Sequence, residues 1–409
     1  MLKKIFAIVL PVTPMLICSL VSMLDHFSSR IRTQVGFRGV SEQLFAMISL
    51  LILGMCIYSA GVAKEGDKVN VIVEQQIRHW ILGFASFLIL MMAFTSYVNP
   101  HGRFPWNPYP FTTTAAPYQK VAIYEKAEYN PQIIIFGSSR AYTISAEYLT
   151  TMTGEPAFNM AVGAAGPVDE LVLARFVVEN SREVPRLFVV EMSATDLHTD
   201  VWQTTMPLNL LPYLPGNGVA PVLDSIFIDT LSLRSLTDSL YLFSYKDATE
   251  YISFLPDGTG IRTGDRGRKY QENVNKQIPP VYEENTCTNL SQEGKQAIEN
   301  LVILSEKNEI GLIFYRSPLN VEFFKHVNLE DMQYKKCQLL LDKFMISITD
   351  SHPNVYYVDL MRYEPVSLLR EKGYIDVQHL LPDASNMVID ALLPAIEDGL
   401  IWVRGNRDQ

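Results

Sequence analysis

Three uncharged apolar stretches stand in the first hundred residues, and they restrict what this chain can fold into more than any other feature. "IFAIVLPVTPMLICSLVSML" covers Ile5–Leu24, "LFAMISLLILGMCIYSAGVA" covers Leu44–Ala63, and "WILGFASFLILMMAFTSYV" covers Trp80–Val98. Each is near the ~20 residues that a helix needs to cross a bilayer. Of the 409 residues only 19% are charged, against 48% hydrophobic, and the shortage of charge falls in this region. The pattern predicts three transmembrane helices in residues 1–98. A signal peptide followed by two core helices fits less well. Ser19–Asp25 offers no small-residue cleavage site, and bulky Ile17 before Cys18 spoils a lipoprotein signal.

Basic residues set the expected orientation. Lys3 and Lys4 precede the first span, Arg30, Arg32 and Arg38 follow it, and Lys64, Lys68 and Arg78 follow the second. The two loops balance, so the N-terminal lysines place the start of the chain in the cytoplasm. Three crossings then put everything after Val98 on the outer face, periplasmic or extracellular. Trp80, Tyr97 and Trp106 sit where interfacial aromatics belong.

The net charge of −10 and the lack of a basic stripe argue against a nucleic-acid partner. Cys18 and Cys56 lie in the spans. Cys287 and Cys337 lie beyond them, either as one disulfide in an oxidising compartment or as two thiols. There is no C-x-x-C and no metal-ligand cluster, so no cofactor or metal is expected.

Residues 99–130 begin with "NPHGRFPWNPYPFTTTAAP" and read as an extended linker. From 131 to 409 apolar runs alternate with helical patterns. Candidate strands are Gln132–Phe136, Ala157–Asn159, Leu187–Met192, Gly311–Tyr315 and Val355–Leu360. Candidate helices are Ser145–Thr153, Val168–Asn180, Ser291–Lys307 and Leu329–Ser347. Continuous apolar strands alternating with helices predict an α/β fold with a doubly wound parallel sheet, covered on both faces. The rhythm breaks over about 202–280. There an apolar helical stretch, Val222–Tyr245, precedes the glycine-rich "PDGTGIRTGDRGRKY" of Pro256–Tyr270. This reads as an insertion over one end of the sheet, either a substrate lid or a structural cap.

Two short motifs carry chemistry. "IIIFGSSR" ends an apolar strand on Gly137-Ser138-Ser139, at the carboxyl edge where parallel sheets bind ligands. "YIDVQHLLPDASNMVIDALL" holds Asp376 and His379, three apart, a spacing that one helical turn would place on one face. A serine hydroxyl needs a base to become nucleophilic, and a carboxylate beside an imidazole fixes its tautomer.

Together these motifs resemble the SGNH (GDSL-like) hydrolase superfamily. The resemblance spans roughly Pro131–Leu400 without the insertion. It implies a three-layer SGNH-like fold, Ser139 as nucleophile, and Asp376 and His379 as acid and base. In the second block, "FNMAVGAAGP" implies Gly163 or Gly166 as an oxyanion donor beside the Ser139 N–H. The third block departs from the pattern: Ser193 and Thr195 stand where the superfamily has glycine and asparagine. Either Thr195 substitutes as a donor, or another N–H is recruited, or activity is low.

With membrane anchoring, "FGSSR" and the altered third block look like the envelope-modifying branch, which includes the DltD-like teichoic-acid D-alanylation proteins and the alginate O-acetylation proteins. The implied function is serine O-acyl transfer onto an envelope polysaccharide or polymer, with a membrane-bound O-acyltransferase as partner. The alternatives are a stand-alone SGNH esterase or deacetylase, and a non-catalytic scaffold. Three spans depart from the single anchor usual in DltD-like proteins. Arg140 is expected in a surface salt bridge, His198 on a solvated loop, and Pro318 as a loop former at the active edge.

Overall fold

A computed structural model describes residues 67–106, 108, 117–193, 206–215, 223, 226–227, 229–244, 252–262, 290–325, 332–376 and 378–407. The expected spans Ile5–Leu24 and Leu44–Ala63 lie outside the described residues, as do Thr195, His198 and Cys287. The third span is a helix, α1, Asp67–Val98. It begins well before Trp80, so Lys68 and Arg78 are on the helix and not in a loop. Its stretch Arg78–Val98 has a mean hydropathy of 2.0 and is long and apolar enough to cross a membrane. Residues 227–237 form one compact unit with the helix up to Thr95, and Thr95 Oγ1 lies 2.6 Å from the Thr230 carbonyl.

The second unit runs from Ser96 to Gln409, without 227–237. Its first helix corrects the expectation of an extended linker over 99–130: α2 spans Pro117–Glu125. Val121 and Tyr124 recur at a helical spacing and are buried in the core, which gives this segment a reason to coil. The alternating part follows in chain order: β1 Ile133–Phe136, α3 Ala146–Thr153, β2 Ala157–Asn159, α4 Pro167–Asn180 and β3 Leu187–Met192. Then come a 3-10 turn at Leu208–Tyr213, α5 Leu233–Ser244, and a hairpin of β4 Ile252–Phe254 with β5 Gly260–Arg262. The alternation resumes with α6 Gln292–Lys307, β6 Gly311–Arg316, α7 Val321–Lys325, α8 Met332–Ser351, β7 Val355–Asp359, α9 Glu364–Ser367 and α10 Pro382–Arg407.

β1, β2, β3, β6 and β7 form one sheet in the order β2-β1-β3-β6-β7, with every pairing parallel. The period of two divides each strand between two cores. Ile134, Phe136, Phe188, Val190, Leu312 and Phe314 pack with α2, α4, α6 and α8. Ile133, Ile135, Leu187, Val189, Ile313 and Tyr315 pack with α3 and α10. Both faces are covered, which explains why these strands read as unbroken apolar runs. Strand order reverses between β1 and β3. In open α/β sheets, ligands bind beyond the strand ends at such a point, and the loop Gly137–Ser139 leaves β1 there.

Candidate active site

The chain leaves β1 through Gly137, whose φ is +144°. A Cβ here would lie 2.5 Å from Glu191 Cβ and 3.0 Å from Ala141 Cβ. Only glycine fits, because the loop runs against β3 with no room for a side chain. Glu191 is the one charged residue in "LFVVEM" and is fully buried. Its Oε2 accepts the Ser138 hydroxyl at 2.7 Å and the Ser138 N–H at 3.2 Å. Its Oε1 lies 3.0 Å from Arg140 Nε, which is also 3.2 Å from Ser138 Oγ. A carboxylate in a core needs a counter-charge and donors around it, and the residues flanking Ser139 supply both. Arg140 is therefore buried, and the expectation of a surface salt bridge is corrected. The single acid in an apolar strand was the sequence signal for this network.

With its neighbours held, Ser139 is presented half-buried, and its Oγ lies 2.8 Å from His379 Nε2. His379 Nδ1 lies 2.6 Å from Asp376 Oδ2. An ionised carboxylate only accepts, so Nδ1 carries the proton, and Nε2 is the acceptor that faces the serine hydroxyl. Asp376 Oδ1 also accepts the backbone N–H groups of Gln378 at 3.0 Å and His379 at 2.9 Å. Burial pushes the Asp376 carboxyl up, but the hydrogen bond and charge of His379 and these two N–H groups outweigh it and leave it below its ordinary value.

The spacing of Asp376 and His379 suggests a helical turn, and the structure corrects this. Tyr374 and Leu380 bridge in antiparallel fashion, and Ile375 N–H donates to the His379 carbonyl at 2.9 Å. The segment is a tight loop. The aspartate side chain takes the N–H groups that a helix would have used, and α10 starts only at Pro382. Thr143 Oγ1, on the serine loop, donates to the Leu380 carbonyl at 3.1 Å and lies 2.7 Å from Ser385 Oγ. This clasp joins the serine loop to the histidine loop, and neither residue stood out in the sequence.

Val162 N–H donates to the Gly137 carbonyl at 2.9 Å, which fastens the turn after β2 to the serine loop. Gly163 follows directly, and the next residue, Ala164, has φ +55°. A non-glycine residue in this region costs about 1–3 kcal/mol, so the turn is held in place by its surroundings. The Gly166 N–H is taken by Asp169 Oδ2 at 3.0 Å, where Gly166 caps α4. Of the two glycines only Gly163 keeps its N–H out of that cap. Asn159 holds the serine loop from below. Its Nδ2 donates to the carbonyls of Ala141 and Ile144, both at 2.8 Å.

The described part of the insertion that reaches this loop acts as a cap. Gly260 N–H donates to the Tyr142 carbonyl at 2.7 Å. The first N–H groups of α3 are met by three side chains: Thr259 Oγ1 on Ala146, Asp257 Oδ2 on Glu147, and Ser145 Oγ on Tyr148. Fully buried Lys120 binds the carbonyls of Asn159 at 2.8 Å and of Gly258, fastening α2 and the hairpin to the end of β2. Burial drives its ammonium well below the ordinary lysine value, and the charge of Asp257 pulls it back up.

Among the described residues, no group of three or more His, Cys, Asp or Glu is placed to hold a metal. Cys337 is buried and disulfide-bonded.

No protein-family model and no curated protein sequence matches the chain. Among solved structures it is similar to a GDSL-like lipase from Bacteroides thetaiotaomicron, at 12% identity and a TM-score of 0.35, over 68% of this chain and 97% of that one. A likeness this loose adds nothing to what the geometry gives.

Proposed function

We propose that this protein is a membrane-anchored serine enzyme of the cell envelope that moves O-acyl groups onto a polysaccharide or polymer. The observation that carries the reading is the unbroken relay from Ser139 Oγ through His379 to Asp376. Ser139 Oγ attacks the carbonyl carbon of an ester or thioester and gives its proton to His379 Nε2. Asp376 stabilises the imidazolium through Nδ1–H. The oxyanion is held by the Ser139 and Gly163 N–H groups. As the intermediate collapses, His379 returns the proton to the departing alcohol or thiol, leaving an acyl-serine. A sugar hydroxyl then attacks the acyl carbon and gives its proton to His379; as this second intermediate collapses, the bond from Ser139 Oγ to the acyl carbon breaks and His379 returns the proton to Oγ, restoring the hydroxyl.

Anchoring is supported by α1, and an oxidising outer compartment by the disulfide at Cys337. A membrane-bound O-acyltransferase that delivers acyl groups across the bilayer is the proposed partner. If water accepts the acyl group instead, the same relay makes the protein a stand-alone esterase.

The test is labelling of the full chain in detergent by a fluorophosphonate probe, beside Ser139→Ala and His379→Ala. Labelling of the parent alone is expected. An unlabelled parent would overturn an autonomous activated serine and favour a non-catalytic scaffold.

A further inference from the structure

Lys120 stands on α2 and is fully buried. Its Nζ donates to the Asn159 carbonyl at 2.8 Å, to Asn159 Oδ1 at 3.3 Å and to the Gly258 carbonyl. An ammonium has three N–H donors and no acceptor, and these three oxygens match them. The Phe254 ring, its centroid 4.4 Å from Nζ, faces the same charge. Taking a charge out of water is costly. Holding α2 in place does not require it, because Val121 and Tyr124 of the same helix already pack in the core. The charge stands where carbonyl oxygens have to be held.

Asn159, at the end of β2, is what it holds. This residue is fully buried, and its polar atoms are all engaged. Its N–H donates to the Asp257 carbonyl at 2.9 Å. Its Oδ1 accepts the Ala161 N–H at 2.9 Å as well as Lys120 Nζ. Its Nδ2 donates to the Ala141 and Ile144 carbonyls, both at 2.8 Å, and to the Tyr142 carbonyl at 3.3 Å. A side-chain amide has one accepting end and one donating end. Lys120 and the Ala161 N–H only donate, and the three carbonyls only accept, so a single orientation of the amide satisfies them all. In that orientation it braces two walls of the site at once. Residues 141–144 continue the loop that begins with Ser139, and Ala161 opens the turn that carries Gly163. The Ser139 and Gly163 N–H groups are the proposed oxyanion donors. One side chain, oriented by Lys120, therefore joins the two segments that carry them.

We infer that Lys120 is a positioning residue for acyl transfer: through Asn159 it sets the placement of the serine loop against the Gly163 turn. Gly258 takes its remaining N–H, so the hairpin of the insertion belongs to the same device. The inference rests on the relay from Ser139 to Asp376 being the acylating site.

The experiment follows fluorophosphonate labelling of the full chain in detergent over a range of probe concentrations. It yields the rate constant at saturation, kinact, and the half-saturating concentration, KI. The probe's phosphoryl oxygen takes the place of the oxyanion. Loss of a whole oxyanion donor costs about 10²–10³-fold, so Lys120→Met should lower kinact by about 10–10²-fold and leave KI unchanged. Lys120→Gln returns two N–H groups and should restore part of kinact. Asn159→Ala should lower kinact at least as far, and adding Lys120→Met to it should lower kinact no further. Val121→Ala, on the same helix, should lower the melting temperature and leave kinact unchanged.

Parental kinact in both lysine variants would overturn the inference and leave the relay standing, as would a loss that adds in full to that of Asn159→Ala. An equal fall in kinact for Val121→Ala would make the effect one of stability alone and overturn it too. If Lys120→Met does not fold, Lys120→Gln carries the comparison through the same cycle. If the parent is not labelled, or His379→Ala labels as fast as the parent, the relay fails and takes the inference with it.

Discussion

Arg140 and Glu191 form a buried ion pair directly behind the serine that faces His379. Glu191 is fully enclosed, its Oε1 is 3.0 Å from Arg140 Nε, and Ser138 occupies its other oxygen. Removing one partner of such a pair strands a charge and costs about 3–5 kcal/mol. Arg140→Met and Glu191→Leu should each lower the melting temperature strongly. The double variant should be more stable than either single one, since it strands no charge. A double-mutant cycle on melting temperature and fluorophosphonate labelling checks this; additive losses would mean the pair is not coupled.

Asp376→Asn should separate geometry from charge. The amide oxygen can still accept the N–H groups of Gln378 and His379, so the loop keeps its turn. The imidazolium loses its counter-charge and the ring loses its tautomer preference. Acylation should fall by about 10²–10⁴-fold, in line with the equivalent change in a serine protease, with a melting temperature close to that of the parent. A large drop in melting temperature would show that the carboxylate's main role is to hold the loop.

Thr143 and Ser385 supply a separate test of positioning. Thr143→Val keeps the volume and removes the hydroxyl that meets the Leu380 carbonyl and Ser385. One lost hydrogen bond in a buried site costs about 1–3 kcal/mol. Labelling should slow, and Thr143→Ser should restore it. A clasp that only stabilises the fold would leave the labelling rate at saturating probe unchanged.

Much of this arrangement is legible in the sequence alone. The strands Ala157–Asn159 and Leu187–Met192 fall on their expected residues, because two-sided burial leaves an apolar run that nothing else explains. That Ser139, Asp376 and His379 come together is expected only from the two motifs taken jointly, since neither is distinctive alone, and the three are adjacent in the structure. The loop around His379 is not legible, since a three-residue spacing fits a helical turn and a tight loop equally well. Nor is the burial of Arg140, because its partner lies 51 positions away in sequence and only strand pairing brings β3 beside β1. The linker misled for a related reason. Pro117 signals a break, but it also opens a helix, and only the core tells that Val121 and Tyr124 have somewhere to go.

Asp169 should give the fold a distinct dependence on pH. It lies at the start of α4, where burial pushes its carboxyl up from 3.8 to about 7, against the Gly166 N–H and the charge of Arg103, which both act to lower it. The sign follows from proton binding. Between 3.8 and about 7 the unfolded chain has released this proton while the folded chain still holds it. Folding is therefore favoured at the acid end of that window, and this contribution is lost as pH rises through it. Asp169→Asn keeps an oxygen for Gly166 and never ionises, so it should flatten that slope. Melting temperatures of parent and variant in detergent, measured across the window, should be close at its acid end and diverge in favour of the variant above it. Parallel curves would mean that Asp169 ionises in the folded protein as readily as in the unfolded one. In that case Arg103 and the end of α4 solvate its charge fully despite its burial.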